Sequence, residues 1–150
     1  EGLMGRAIRD GALGGLAGGA AFGMMMAMMG MLKMIASMVG SSSPVIGFLI
    51  HIMISAVIGA GFGLGLSGLA TSAGKAIGVG MGYGFLWWLI GPLTMMPLMM
   101  GMGLGSQWNA PAALGAMPSM IGHLLYGAVL GFTYYRLSAS ARSGRAAQFA

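Results

Sequence analysis

Two imidazoles stand out in a chain with few titratable groups. His51 and His123 are the only histidines among 150 residues, and each lies inside a long apolar run. An ionisable ring within a membrane needs a partner and marks a functional position by default. Neutral imidazole ligates haem iron, copper or the magnesium of a chlorin. Gly47 and Ser119 precede the two histidines by four residues, a spacing that leaves room for a flat macrocycle. The structural alternative is that each ring bonds a nearby carbonyl or faces the interface. The pair is therefore a candidate cofactor site, with haem, chlorin, copper or no cofactor open.

Methionine gives the second signal, with 18 residues. Met24, Met25, Met26, Met28, Met29, Met31, Met34 and Met38 crowd one segment, and Met95, Met96, Met99, Met100 and Met102 another. Thioether sulfur is a soft ligand that suits Cu(I), so a small transporter or copper-handling protein is one reading. Met is also a flexible apolar side chain that fills irregular gaps. Met24 to Met26 are consecutive, point around a helix in different directions and cannot all face one site.

Acid–base chemistry has little to work with. The only carboxylates are Glu1 and Asp10, near the N-terminus. There is no Ser-His-Asp set, carboxylate pair, HExxH or P-loop, and with no cysteine there is no thiolate site or disulfide. An enzyme is not expected.

The elements that carry these residues follow from composition. Apolar types make up 57% of the chain and charged types 6%. So few charges cannot coat a soluble domain, where about a quarter is usual, and the high hydrophobicity excludes disorder. The net charge of +5 forms no basic patch interleaved with aromatics, so nucleic acid is not a partner. The chain opens on Glu1 rather than Met, and a leader or further start segment is expected before it. Four runs reach the ~20 apolar residues that cross a bilayer: about 11–34, 44–70, 73–96 and 113–137. None alternates with a period of two, so helices rather than a barrel are expected. Pro92 should kink the third.

Six of the seven Lys and Arg residues fall on one side of such a bundle, including Arg136 at the end of the fourth run and Arg142 and Arg145 of a basic tail at 138–150; Lys33 alone falls on the other. The positive-inside rule then puts both termini in the cytoplasm and the protein in the cytoplasmic (inner) membrane. A shift of 61 residues lays Gly19, Gly23 and Gly30 on Gly80, Gly84 and Gly91, and a shift of 72 lays His51 and Gly59 on His123 and Gly131. Two tandem helical hairpins are expected, related by a pseudo-two-fold axis along the membrane normal.

Small-xxx-small pairs crowd the cytoplasmic half, where Gly18, Gly63, Gly82 and Gly127 are expected to pack helices closely; the Met-rich outer half should splay. The uncharged outer loop, about Pro97 to Ala112, carries Leu98, Met99, Met102, Leu104 and Trp108, which should contact a partner because a large apolar patch in water marks an interface. The expected architecture is an all-α, four-helix integral membrane protein of one domain. The expected function is a non-catalytic accessory subunit of a larger membrane complex, of the respiratory or photosynthetic electron-transfer kind. The alternatives are a haem- or chlorin-binding module ligated by His51 and His123, or the copper-handling or transport reading.

Overall fold

The computed structural model describes residues 2–148, and all regular structure among them is helical. Seven α-helical segments follow one another: α1 Leu3–Met28, α2 Leu32–Ser37, α3 Pro44–Leu66, α4 Ala73–Ile90, α5 Met96–Met99, α6 Ala110–Gly115 and α7 Met117–Gln148. A 3₁₀ turn, Ser67–Leu69, extends α3, and a π-helical turn, Gly91–Met95, joins α4 to α5. Three of the resulting rods, Leu3–Met28, Pro44–Leu69 and Ala73–Met99, are long and apolar enough to cross a membrane. Their outward faces carry Leu13, Leu49, Val57 and Phe85, all exposed, as helices immersed in lipid would.

Local chemistry sets most boundaries. Ser43 caps α3 through its Oγ, which accepts from the Ile46 N–H, and Pro44 follows at the first helical position, where its missing N–H has no cost. Ser72 caps α4 in the same way, accepting from the Lys75 N–H. Asn109 Oδ1 accepts from the Ala112 N–H at the start of α6. The first apolar run is not one helix. It breaks at Gly30, whose φ is 70°, a left-handed conformation that side chains resist. The run also starts earlier than the composition suggested, so Arg6, Arg9 and Asp10 lie within α1 rather than before it. The fourth run likewise divides into α6 and α7, and α7 continues through most of the expected tail. Residues 149–150 and the side chains of Arg142 and Arg145 lie outside the described residues.

The long helices run up and down, with the start of α1, the end of α7 and the 67–72 turn at one end and the connections 29–43 and 100–109 at the other. Side by side the order is α3, α1, α7, α4. The α1–α3, α1–α7 and α4–α7 seams are built on glycine. A Cβ on Gly63 would fall on the Ala7 carbonyl oxygen, on Gly18 against the Tyr126 carbonyl oxygen, and on Gly127 upon the Gly80 carbonyl oxygen. Gly82 is different: it is exposed and a Cβ there would meet nothing within 4 Å. The expectation that Gly82 packs helices is therefore incorrect; it sits on the outer side of α4, while Gly80 and Gly84 form the seam.

The first and last hairpins use matching contacts. Gly23 faces the His51 ring and Gly19 faces Ser55; Gly84 faces the His123 backbone and Gly80 faces Gly127. The two seams between hairpins do not match. Glycines bring α1 against α7, whereas α3 and α4 barely touch and are bridged by side chains. Tyr83 donates from α4 to the Ile58 carbonyl of α3 at 2.8 Å. Tyr126 reaches from α7 to the Ser55 carbonyl of α3 at 2.7 Å.

Candidate functional site

The separation of α3 from α4 creates the site. Toward the terminal end the interior is filled by Phe62, which packs edge-on against Tyr83 and Tyr134 with centroids 5.5 and 5.6 Å apart, and by fully buried Leu130. Toward the loop end a cavity of about 820 Å³ opens between α3 and the α4–α5 rod, with α1 and α7 contributing further wall. Among the described residues no charged side chain lines it.

Ten methionines line this space. Met26, Met29, Met31, Met34 and Met38 come from α1, α2 and the turns beside them. Met95, Met96, Met99, Met100 and Met102 come from the π turn, α5 and the following loop. The break at Gly30 and the wide turn at Gly91–Met95 are what bring them there. Pro92 cannot donate the α-helical hydrogen bond, so the ladder widens locally, and Thr94 Oγ1 returns a bond to the Leu89 carbonyl at 2.8 Å. Met24, Met28, Met53 and Met81 are absent from the lining and exposed.

Both histidines line the same cavity. The Phe22 ring stands edge-on to each, 5.3 Å from His51 and 4.9 Å from His123 between centroids. Phe22 is itself held against Gly122 of α7, where a Cβ would overlap its ring. His51 Nε2 lies 2.9 Å from the Gly19 carbonyl oxygen of α1, and glycines at 19 and 23 let the ring come that close. A carbonyl only accepts, so Nε2 carries a proton, and in the neutral ring Nδ1 keeps its lone pair. His123 is the reverse. Its Nδ1 donates to the Ser119 carbonyl at 2.8 Å, which leaves the lone pair on Nε2. The two rings flank Phe22, and in the neutral form each keeps a lone pair on one nitrogen. A macrocycle clamped between both would have to displace Phe22, so the geometry favours a smaller group or one held by a single imidazole.

All five partner-contact residues are exposed, Leu104 by 67% and Trp108 by 60%, and Met99 and Met102 also line the cavity. Part of the loop backbone is satisfied within the chain: Met102 N–H bonds the Pro97 carbonyl and Trp108 N–H the Gly105 carbonyl. Trp108 Nε1 donates to Thr94 Oγ1 at 3.0 Å, tying the loop to the π turn, and Trp88 Nε1 donates to the Ala116 carbonyl at 3.1 Å. Asp10 is buried, with Arg9 Nη2 2.8 Å from its Oδ1. Phe22, Tyr126 and Trp87 belong to the lining and were not among the candidates. The one available signal was Tyr126, three residues after His123 and hence on the same helical face.

Fold and site define a helical membrane protein with a methionine-walled, histidine-bearing cavity. No protein-family model matches the chain, and no curated protein or solved structure matches it.

Proposed function

We propose that this chain is a non-catalytic, ligand-holding module of the cytoplasmic membrane that works as a subunit of a larger membrane complex. The observation that carries this reading is the cavity of about 820 Å³ with two hydrogen-bonded imidazoles in its lining. Its size is that of a small-molecule site. The aromatic cluster of Phe62, Tyr83 and Tyr134 blocks continuation toward the terminal end, which supports holding over conduction. On this reading α7 is a fourth span, and the distribution of Lys and Arg supports cytoplasmic termini. The matching glycine contacts of the two hairpins support an origin by duplication, with a pseudo-two-fold axis along the membrane normal. The unequal α1–α7 and α3–α4 seams are then the departure from symmetry that makes room for a ligand.

The test is the absorption spectrum, metal content and mass spectrum of the chain extracted from its native membrane, beside Ser119→Phe. That substitution keeps the Ser119 carbonyl but places a ring in the cavity. The expected result is about one ligand per wild-type chain and at least a tenfold loss in the variant, with unchanged helicity. A wild-type chain carrying nothing would overturn the ligand-holding reading.

A second reading, an accessory subunit that holds no ligand, is favoured by the exposed Leu98, Leu104 and Trp108 on the loop end. Trp is a frequent interface anchor. Trp108→Ala with Leu104→Ser should then release the folded chain from its complex, read by co-purification of its neighbours; retention of those neighbours would contradict it.

A further inference from the structure

From the donor atoms on this cavity wall we infer that it holds a single Cu(I) ion, coordinated by methionine thioethers together with a lone-pair nitrogen of His123 or His51. The inference rests on the ligand-holding reading and gives its ligand a chemistry.

Three observations carry it. The methionines that line the cavity come from two segments about sixty residues apart in sequence and are brought together only by the break at Gly30 and the π turn at Gly91–Met95. Met24, Met28, Met53 and Met81 stay outside, so the gathering is selective within a chain rich in methionine. Second, each imidazole commits its one proton to a backbone carbonyl, His51 to Gly19 and His123 to Ser119. Metal-ligating histidines use this arrangement, which fixes the tautomer and leaves the other nitrogen basic. His123 has no protein partner for Nε2 among the described residues. Third, the donor set is uncharged. Among the described residues the cavity has no carboxylate, and the chain has no cysteine.

These properties choose the metal. Desolvating an ion costs energy that rises with the square of its charge, so a neutral, low-dielectric pocket disfavours a divalent cation with no counter-charge. Thioethers are soft and bind Cu(I), whereas Zn²⁺ seeks thiolate, imidazole or carboxylate and Mg²⁺ or Ca²⁺ seeks oxygen. Cu(I) is both soft and monovalent. Methionine acting only as a flexible wall is the outcome against which this is measured.

The experiment is anaerobic titration of the detergent-solubilised full chain with Cu(I), buffered by a chromophoric Cu(I) chelator, with Zn(II) as a parallel probe. Copper X-ray absorption reads the ligand atoms. One Cu(I) per chain is expected, with sulfur and nitrogen in its shell and no comparable Zn(II) binding. His123→Ala or His51→Ala, whichever ring supplies the nitrogen, should weaken Cu(I) at least tenfold. So should Met26→Leu, Met31→Leu, Met38→Leu and Met96→Leu combined, which preserve volume and apolarity. No effect of either histidine change would overturn the inference. Combined replacement of Met24, Met28, Met53 and Met81 by Leu should change nothing, and controls for a general loss of sulfur. Equal effects of the two methionine sets, tighter Zn(II) than Cu(I), or no Cu(I) retained against the chelator would each overturn the inference. If an organic ligand co-purifies while Cu(I) does not bind, only the copper assignment falls; if neither is found, the ligand-holding reading falls with it.

Discussion

At the scale of single residues, glycine position decides whether a side chain is tolerated. Gly127 and Gly82 look alike in a list of small residues, but only Gly127 meets a neighbouring backbone. Gly127→Ala should force α4 and α7 apart and cost about 1–3 kcal/mol, the range for overpacking a tight contact. Gly82→Ala should stay within about 0.5 kcal/mol of wild type, as surface changes do. Thermal unfolding in detergent, followed by circular dichroism, separates the two; equal shifts would contradict the seam assignment. Tyr126→Phe removes the bond to the Ser55 carbonyl and leaves the ring. Intramembrane hydrogen bonds average about 0.6 kcal/mol, and a loss of that size is expected in the same assay. Because the Tyr126 ring also lines the cavity, its removal by Tyr126→Ala should lower stability by several times as much.

At the scale of elements, the connections do more than join helices. The π turn, Thr94 and Trp108 form a chain of hydrogen bonds from the Leu89 carbonyl to the loop. Thr94→Val breaks that chain without changing size, and chymotrypsin should then cut the loop near Leu104 or Trp108 several-fold faster, while α1 to α4 stay protected. An unchanged cleavage rate would show that Trp108 is held by other contacts. The helical character and the apolar runs were legible in the sequence because lipid demands long, uncharged helices. Ser43, Ser72 and Pro44 mark helix starts by local chemistry. Gly30 was less legible: in a chain with 30 glycines, nothing local separates a helix break from a helix-packing glycine. The two histidines were legible as a pair through the repeat. Their meeting at Phe22 was not, because it depends on the α1–α7 seam, and the repeat alone predicts an equal seam between α3 and α4. The methionine wall was half-legible, since composition flagged the residues but only the bends at Gly30 and Pro92 choose which of them line the cavity.

At the scale of the whole molecule, the account describes a bundle closed along three seams and open along the fourth. The orientation proposed from charge has its own check. Ser140 and Leu104 are both exposed and lie at opposite ends. With cysteine placed at each in turn, a membrane-impermeant maleimide should label Leu104→Cys from outside intact cells and Ser140→Cys only after the membrane is opened; the reverse pattern would invert the topology. The central claim is that α3 and α4 stand apart at the loop end because something occupies the space between them. An experimentally determined structure of the chain, extracted from its native membrane into a lipid nanodisc, tests it most directly. The account predicts non-protein density between the methionine wall and the imidazoles of His51 and His123, with Phe22 still packed against both rings. Closure of α3 onto α4, with the methionine side chains filling the gap and no density between them, would contradict it.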